Sequence, residues 1–126
     1  VGAMDILKPG GTLIIVSECS EGMGSADYVD AQRRLADLGP DDFLGSLKTK
    51  EFAAVDEWQT EMQLKPMRIG SIHLFSNGLS HEEWKIAGVS RVLNLTDDIQ
   101  ASINKAGDRK IAVIPEGPYV IPLYDN

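Results

Sequence analysis

The sequence predicts an α/β fold with a mostly parallel sheet of about four to five strands and helices on both faces, in three layers. A Pro-Gly-Gly turn after Lys8 opens into an apolar run, which ends in a small polar loop before a helical pattern begins at Ser25. The apolar runs lack polar alternation, which is typical of parallel strands covered on both sides. The predicted order β-α-α-α-β-α-β-α-β also favours a parallel sheet.

The first strand is predicted over Thr12–Ser17, where Leu, Ile, Ile and Val follow one another. Ser25 has the position and chemistry of an N-cap for a helix over Ala26–Leu38. The Gly39-Pro40 pair ends that helix. A short helix follows from Asp41 or Asp42 to Leu47, with its apolar residues at helical spacing.

A third helix is predicted from about Phe52 to Lys65, and Pro66 ends it or lies just past its end. Its mostly apolar side is expected to hold the residues Ala54, Val55, Trp58, Met62 and Leu64. Its polar side is expected to hold the residues Asp56, Glu57, Gln59 and Glu61.

The second strand is predicted over Ser71–Phe75, and Val89–Leu93 is a short apolar segment that predicts the third. Between them, Ser80 and Glu83 have the spacing of a capping box for a helix that runs to Ala87.

The last helix is predicted over Asp97–Ala106, with Thr96 as its N-cap and Gly107 as its C-cap. A fourth strand is predicted over Lys110–Ile114, and a final extended piece over Tyr119–Leu123. No internal repeat or second domain is visible, so residues 1–126 are predicted to form a single domain.

The charge and composition of the chain argue against two classes of partner and indicate a cellular compartment. The formal net charge of −7 argues against nucleic acid or an anionic membrane as a partner. The longest apolar runs are far too short to cross a bilayer. The single cysteine, Cys19, excludes an internal disulfide and fits a reducing compartment, so a cytoplasmic location is expected.

The loop after the first strand is the strongest candidate site, because ligands gather at the carboxyl ends of strands in open α/β sheets. It offers backbone amides, two carboxylates and a thiol, and its candidate cleft-edge residues are Ser17, Glu18, Cys19, Glu21, Gly22 and Gly24. The pattern lacks a Walker lysine and is not G-x-G-x-x-G, so it is no nucleotide fingerprint. A tight β-to-α connection explains the same residues equally well.

Two further loops, at Ser76–Leu79 and Pro115–Pro118, also follow predicted strands and contain glycine. They are expected at the same sheet edge as the first loop, as an interface for a ligand or another domain. Ordinary turn chemistry is the alternative interpretation.

The remaining reactive side chains favour structural roles. Cys19 has no histidine near it in sequence, so a small, partly buried side chain is the favoured interpretation. His73 is interpreted as a packed strand histidine and His81 as a solvated first-turn residue, and no metal site is predicted. Trp58 stands among polar residues, which favours a cleft-lining role more than usual for a helical tryptophan, although core packing is the commoner role.

Four segments together resemble the C-terminal domain of the nickel-dependent lactate racemase family. They are KPGGTLIIVSECSEGMGS at 8–25, VDEWQ at 55–59, HLFSNGLS at 73–80 and VIPEGPYVIP at 113–122. The resemblance covers nearly the whole chain, with the segments in the same order and spacing.

The resemblance implies a two-domain enzyme that racemises or epimerises 2-hydroxyacids. Its nickel-pincer nucleotide, a pyridinium mononucleotide tethered to a lysine, accepts a hydride transiently, and two histidines act as alternating acid and base groups. The cofactor lysine, the nickel-ligating histidine and the catalytic histidines belong to the N-terminal domain. This chain would then be a lid that closes the cleft and binds no cofactor itself.

The resemblance places one residue of this chain, Trp58, at a family active-site position that lines the substrate pocket. The family's Tyr-Gln and Lys substrate contacts precede the KPGG turn, and Val1–Leu7 is expected to be the end of their helix. The chain is therefore expected to be an inactive fragment, whose partners are the N-terminal catalytic domain and a small hydroxyacid. Two alternatives stay open, a small-carboxylate binding module and a structural or assembly domain without a catalytic role.

Overall fold

The computed structural model describes residues 2–123, which form an α/β fold with a parallel sheet of three strands and five helices. The strands are β1 (Thr12–Val16), β2 (Ser71–Phe75) and β3 (Ser90–Arg91). The helices are α1 (Ala26–Leu38), α2 (Pro40–Lys48), α3 (Glu57–Met67), α4 (His81–Ile86) and α5 (Leu95–Ala106). Single 3-10 turns lie at Met4–Ile6 and Gly117–Tyr119.

The sheet has the order β1-β2-β3, with both pairs parallel. β1 and β2 pair along their whole length, from Thr12 opposite Ser71 to Val16 opposite Phe75. β3 adds only Ser90 and Arg91. The central strand is therefore β2, and β1 lies at an edge of the sheet.

Local capping chemistry sets the ends of several helices as the sequence predicts. Ser25 caps α1 by accepting a 3.1 Å hydrogen bond from the N–H of Tyr28. Ser80 and Glu83 form the predicted capping box of α4. Gly107 ends α5 in the left-handed conformation, with φ of 64°. These contacts are local in sequence, so a single sequence can predict them.

Three predicted helix starts are wrong. α2 begins at Pro40, with Gly39 as its N-cap, rather than at Asp41 or Asp42. The N-cap of α5 is Asn94, whose side chain accepts hydrogen bonds from Thr96 and Asp97, so Thr96 already belongs to the helix. α3 begins at Glu57 rather than near Phe52, because Asp56 takes a left-handed conformation with φ of 60°, which interrupts helical backbone. Pro66 lies inside the last turn of α3 rather than beyond it.

The apolar core lies among α1, α2 and α3. Leu35, Phe43 and Leu64 are buried there, one from each helix, and partly buried Leu44 and Met67 pack against them. α3 also packs on β2, where Ile72 is buried. This cluster joins the helices between β1 and β2 into one unit beside the sheet.

The predicted fourth strand is not part of the sheet. Within residues 2–123, Lys110–Ile114 has no strand pairing, and Ile111 and Val113 are exposed. Four to five strands in three layers are therefore not confirmed. An apolar run indicates a preference for extended backbone, but a strand also needs an edge to pair with, which the run does not specify. The predicted extended piece at Tyr119–Leu123 instead begins with the end of a 3-10 turn.

Candidate functional site

The loop between β1 and α1, residues 17–25, is a series of tight turns. Cys19, Gly22 and Gly24 all have positive φ, at 49°, 63° and 88°. The N–H of Gly22 donates to the carbonyl of Cys19 at 2.9 Å, and the N–H of Gly24 donates to the carbonyl of Glu21 at 3.2 Å. The glycines supply the left-handed turns at little steric cost, whereas Cys19 is the one non-glycine residue of this loop in that region.

The loop after β2 lies directly against the loop after β1, as the sequence predicts for two loops at one sheet edge. The buried hydroxyl of Ser76 donates to the carbonyl of Glu18 at 2.9 Å. Gly78 packs so closely on the carbonyls of Glu18 and Cys19 that a Cβ atom would overlap them. The two loops therefore form one continuous surface at the carboxyl ends of β1 and β2.

A carboxylate on α4 holds the same loop from another direction. One oxygen of Glu83 accepts a 2.8 Å hydrogen bond from the N–H of Met23, and the other accepts a 2.8 Å bond from the N–H of Ser80. These hydrogen bonds, those from Ser80 first, hold the pKa of the Glu83 carboxyl below its ordinary value. Glu83 stays ionised and ties the loop to the start of α4.

Most of the candidate residues of this loop lie at the surface. Ser17, Glu18, Glu21 and Gly24 are exposed, and Gly22 is half-buried. Cys19 is half-buried, with its Sγ 3.6 Å from the hydroxyl of Ser17. The loop thus presents two exposed carboxylates, while Ser76 and Glu83 hold its backbone.

The end of this loop also contacts the start of α3, where Trp58 lies. The hydroxyl of Ser25 donates to the carboxylate of Asp56 at 2.5 Å, two residues before Trp58. Because α3 leads into β2, its N-terminus faces the carboxyl edge of the sheet. The structure thus brings Trp58 and the loop after β1 to the same edge.

Trp58 does not occupy the core position that helical periodicity favours. Its side chain is 62% exposed, while the preceding residue, Glu57, is only 3% exposed. The predicted apolar and polar sides of α3 are therefore exchanged at its first turn. Phe52 and Val55 are also strongly exposed, so three large apolar side chains stand in solvent within seven residues. We call Phe52, Val55 and Trp58 the α3-start patch.

Glu57 is the residue of this region that sequence analysis missed. One of its oxygens accepts hydrogen bonds from Arg34 on α1 and, at 2.7 Å, from Lys50 after α2. The other accepts a 3.1 Å bond from the N–H of Ala54. The only sequence signal is an acidic residue in the first turn of a helix, which is usually solvated. Its two cationic partners are 23 and 7 residues away.

Burial raises the pKa of the Glu57 carboxyl, but the hydrogen bonds from Lys50, Arg34 and Ala54 outweigh that effect. The net pKa lies below its ordinary value of 4.5. Glu57 is therefore an ionised anchor that ties α3 to α1 and to the segment after α2. It fixes the backbone directly beneath the α3-start patch.

The two histidines lie apart from this edge surface. Nδ1 of His73, in β2, is 2.9 Å from a carboxylate oxygen of Asp98 on α5, which agrees with a packed strand histidine. His81 is exposed in the first turn of α4, as predicted. Among residues 2–123, no three His, Cys, Asp or Glu side chains are close enough together to hold a metal ion. The Pro115–Pro118 loop was also predicted at this edge. Within residues 2–123, no strand of the sheet leads directly into that loop.

A matched pair of glycine substitutions tests whether the two edge loops depend on close backbone contact. Gly78→Ala is expected to destabilise the fold by about 1–3 kcal/mol, because the new methyl group overlaps two carbonyls of residues 18 and 19. Gly45→Ala, inside α2 with open space around it, is expected to stabilise the fold by about 0.4–1 kcal/mol. Urea denaturation followed by circular dichroism measures both. Equal effects of the two substitutions would contradict the contact.

No family model, curated protein or solved structure matches the chain. In the described part of the chain, no helix is both long and apolar enough to cross a membrane.

Proposed function

We propose that the chain is the lid and substrate-cleft domain of a cytoplasmic, lactate-racemase-like enzyme that racemises or epimerises 2-hydroxyacids. The observation that carries the proposal is the exposed Trp58 ring at the carboxyl edge of the sheet, beside the loop after β1. A large apolar ring gains free energy when a partner or ligand covers it, so an exposed ring on a rigid base suits a surface that closes over a substrate.

The rigidity of that base supports the same role. The Glu57 anchor and the Ser25–Asp56 hydrogen bond hold the backbone on either side of the first turn of α3. A lid has to present its contact residue in one orientation if closure is to shape the cleft. In this proposal Trp58 covers the apolar side of the hydroxyacid, and residues 17–24 form the edge of the cleft.

The nickel-pincer nucleotide belongs, in this proposal, to the N-terminal domain of the parent enzyme. The described residues do not fit a nickel site, because no cluster of three ligating side chains exists among them. The cofactor, when bound to the other domain, supplies hydride transfer. The residues of this chain contribute only cover, orientation and exclusion of water, so the isolated chain is proposed to be inactive.

The proposal also includes the finer form of the fold, with four to five strands and helices on both faces of the sheet. Neighbouring residues of a strand point to opposite faces. Ile72 is buried on the sheet while α3 packs on β2, and the next residue, His73, bonds to α5. This alternation supports a layer of helices on each side of β2.

Substitution of Trp58 in the full-length parent tests the proposal. Trp58→Ala is expected to lower kcat/KM for the hydroxyacid about 10-fold or more, because the apolar cover of the substrate is lost. Trp58→Phe is expected to retain most of the activity. Leu38→Ala removes an exposed apolar side chain at the end of α1, the helix end away from the Ser25–Asp56 contact, and serves as the control.

The two alternatives make different predictions in the same experiments. A structural or assembly domain predicts that Trp58→Ala leaves kcat/KM unchanged. A small-carboxylate binding module predicts that the isolated chain binds lactate saturably in a calorimetric titration. Either result would contradict the lid proposal.

A further inference from the structure

The outer edge of β1 is an open pairing site. The N–H of Ser71 donates to the carbonyl of Gly11, and the N–H of Ser17 donates to the carbonyl of Phe75, so odd-numbered residues of β1 direct their backbone groups toward β2. Backbone groups alternate in direction along a strand, so those of Thr12, Ile14 and Val16 point away from the sheet. Within residues 2–123, β1 has no strand on that side.

The path of α5 leads toward this edge. The helix begins after β3, and its first turn contacts β2 through the hydrogen bond between Asp98 and His73. Just past its end, the carboxylate of Asp108 lies 3.4 Å from the ammonium group of Lys8, four residues before β1. α5 therefore crosses the sheet from β3, over β2, to the amino end of β1.

The segment that follows α5 has the length and composition of a missing strand. The carboxylate of Asp108 also accepts a 2.9 Å hydrogen bond from the N–H of Lys110, so the segment starts beside the amino end of β1. Lys110–Ile114 spans five residues, as β1 does, and contains three β-branched residues. Ile111 and Val113 stand exposed, as do Ile15 and Val16 on β1.

We propose that Lys110–Ile114 docks as a fourth parallel strand on the outer edge of β1. The unpaired backbone groups of both segments then satisfy one another, and their exposed apolar side chains cover each other. A crossover from β3 through α5 to this position passes over the face opposite α3. The inference gives a position to the fourth strand that the proposed function includes, and it does not depend on racemase activity.

Docking on this edge would also create a ligand crevice. The strand order becomes 4-1-2-3, with all strands parallel. The chain adds β2 and β3 on one side of β1 and the new strand on the other side, so the strand order reverses at β1. Such a switch point is where ligands bind in open α/β sheets, outside the carboxyl ends of the strands. The loop after β1 would then face the Pro115–Pro118 loop across this crevice, with the carboxylate of Glu116 on its far side.

Amide hydrogen exchange of the 126-residue chain, followed by NMR, tests the inference. The amides of Ile14 and Val16 are expected to exchange at least about 100-fold more slowly than in an unstructured chain. The amides of Leu13 and Ile15, which point toward β2, report that the sheet is intact. Fast exchange at Ile14 and Val16 while Leu13 and Ile15 stay protected would overturn the inference.

Two proline variants identify what covers the edge. Ala112→Pro and Val113→Pro each remove one N–H group, and these groups point to opposite sides of a strand. At least one variant is expected to restore fast exchange at Ile14 and Val16 without affecting Leu13 and Ile15. If both variants leave Ile14 and Val16 protected, another group covers the edge and the assignment of Lys110–Ile114 is wrong.

Discussion

Replacing Phe43 by alanine is expected to lower the free energy of unfolding by about 3–5 kcal/mol, the largest loss we expect from any single apolar truncation. The ring of Phe43 is fully buried between Leu35 and Leu64, and the guanidinium carbon of Arg34 lies 5.4 Å from its centre. The truncation leaves a cavity at the junction of α1, α2 and α3. Urea denaturation followed by circular dichroism measures the change in unfolding free energy.

A second phenylalanine provides the matched control for that substitution. Phe52 is 80% exposed. Phe52→Ala therefore deletes the same atoms at the surface, where no cavity forms. Its effect on the unfolding free energy is expected to stay within about 0.5 kcal/mol. If the two alanine variants lost equal stability, the three-helix cluster would not be the core of this fold.

Replacing Glu57 by alanine is expected to cost about 3 kcal/mol of unfolding free energy. Glu57 is 3% exposed, and its truncation removes an acceptor from Arg34, Lys50 and the N–H of Ala54. Breaking a buried ion pair from one side typically costs about 3–5 kcal/mol, and the partial exposure of both cations favours the lower end. Glu61→Gln on the exposed side of α3 is the control, with an expected change below about 0.5 kcal/mol.

The same anchor gives the stability a defined dependence on pH. The pKa of Glu57 is lower in the folded chain than its ordinary value of 4.5, so the ionised carboxylate stabilises the folded state. Its contribution is fully present above pH 4.5 and is lost as the pH falls through the folded pKa. The stability difference between the wild type and Glu57→Gln should therefore be constant near neutral pH and shrink below pH 4.5. A difference that grows on acidification would contradict the anchor.

Local signals predicted the part of the fold that depends on neighbouring residues. The apolar runs predicted β1 and β2, and the hydroxyl of Ser25 and the Ser80–Glu83 pair predicted the starts of α1 and α4. At both helix starts the decisive hydrogen bonds join residues three positions apart. Such contacts follow from sequence spacing and need no knowledge of tertiary structure.

The start of α3 could not be predicted in the same way. Whether Glu57 or Trp58 faces inward depends on Arg34 and Lys50, which reach Glu57 only after α1, α2 and α3 have packed. Periodicity averages over a whole helix, and it assigned the apolar side to Trp58 because hydrophobic burial is the usual outcome. A buried carboxylate with two cations overrides that preference, and this places the tryptophan in solvent.

The candidate site was partly predictable for a related reason. The adjacency of the loops after β1 and β2 follows from parallel pairing, since successive strands end at the same edge. The contacts that fix the loops do not follow from it. Glu83 reaches Met23 across 60 residues, and Ser76 reaches the carbonyl of Glu18 across 58. Sequence spacing carries no information on such pairs.

Loss of optical activity of chiral 2-hydroxyacids tests the proposed function most directly, measured with the proposed full-length enzyme after its nickel-cofactor loading has been verified. We expect racemisation or epimerisation of at least one member of a panel that includes lactate and larger sugar-like hydroxyacids. A parent that cannot be loaded with the cofactor, or a loaded parent that turns over no hydroxyacid, would contradict the proposal.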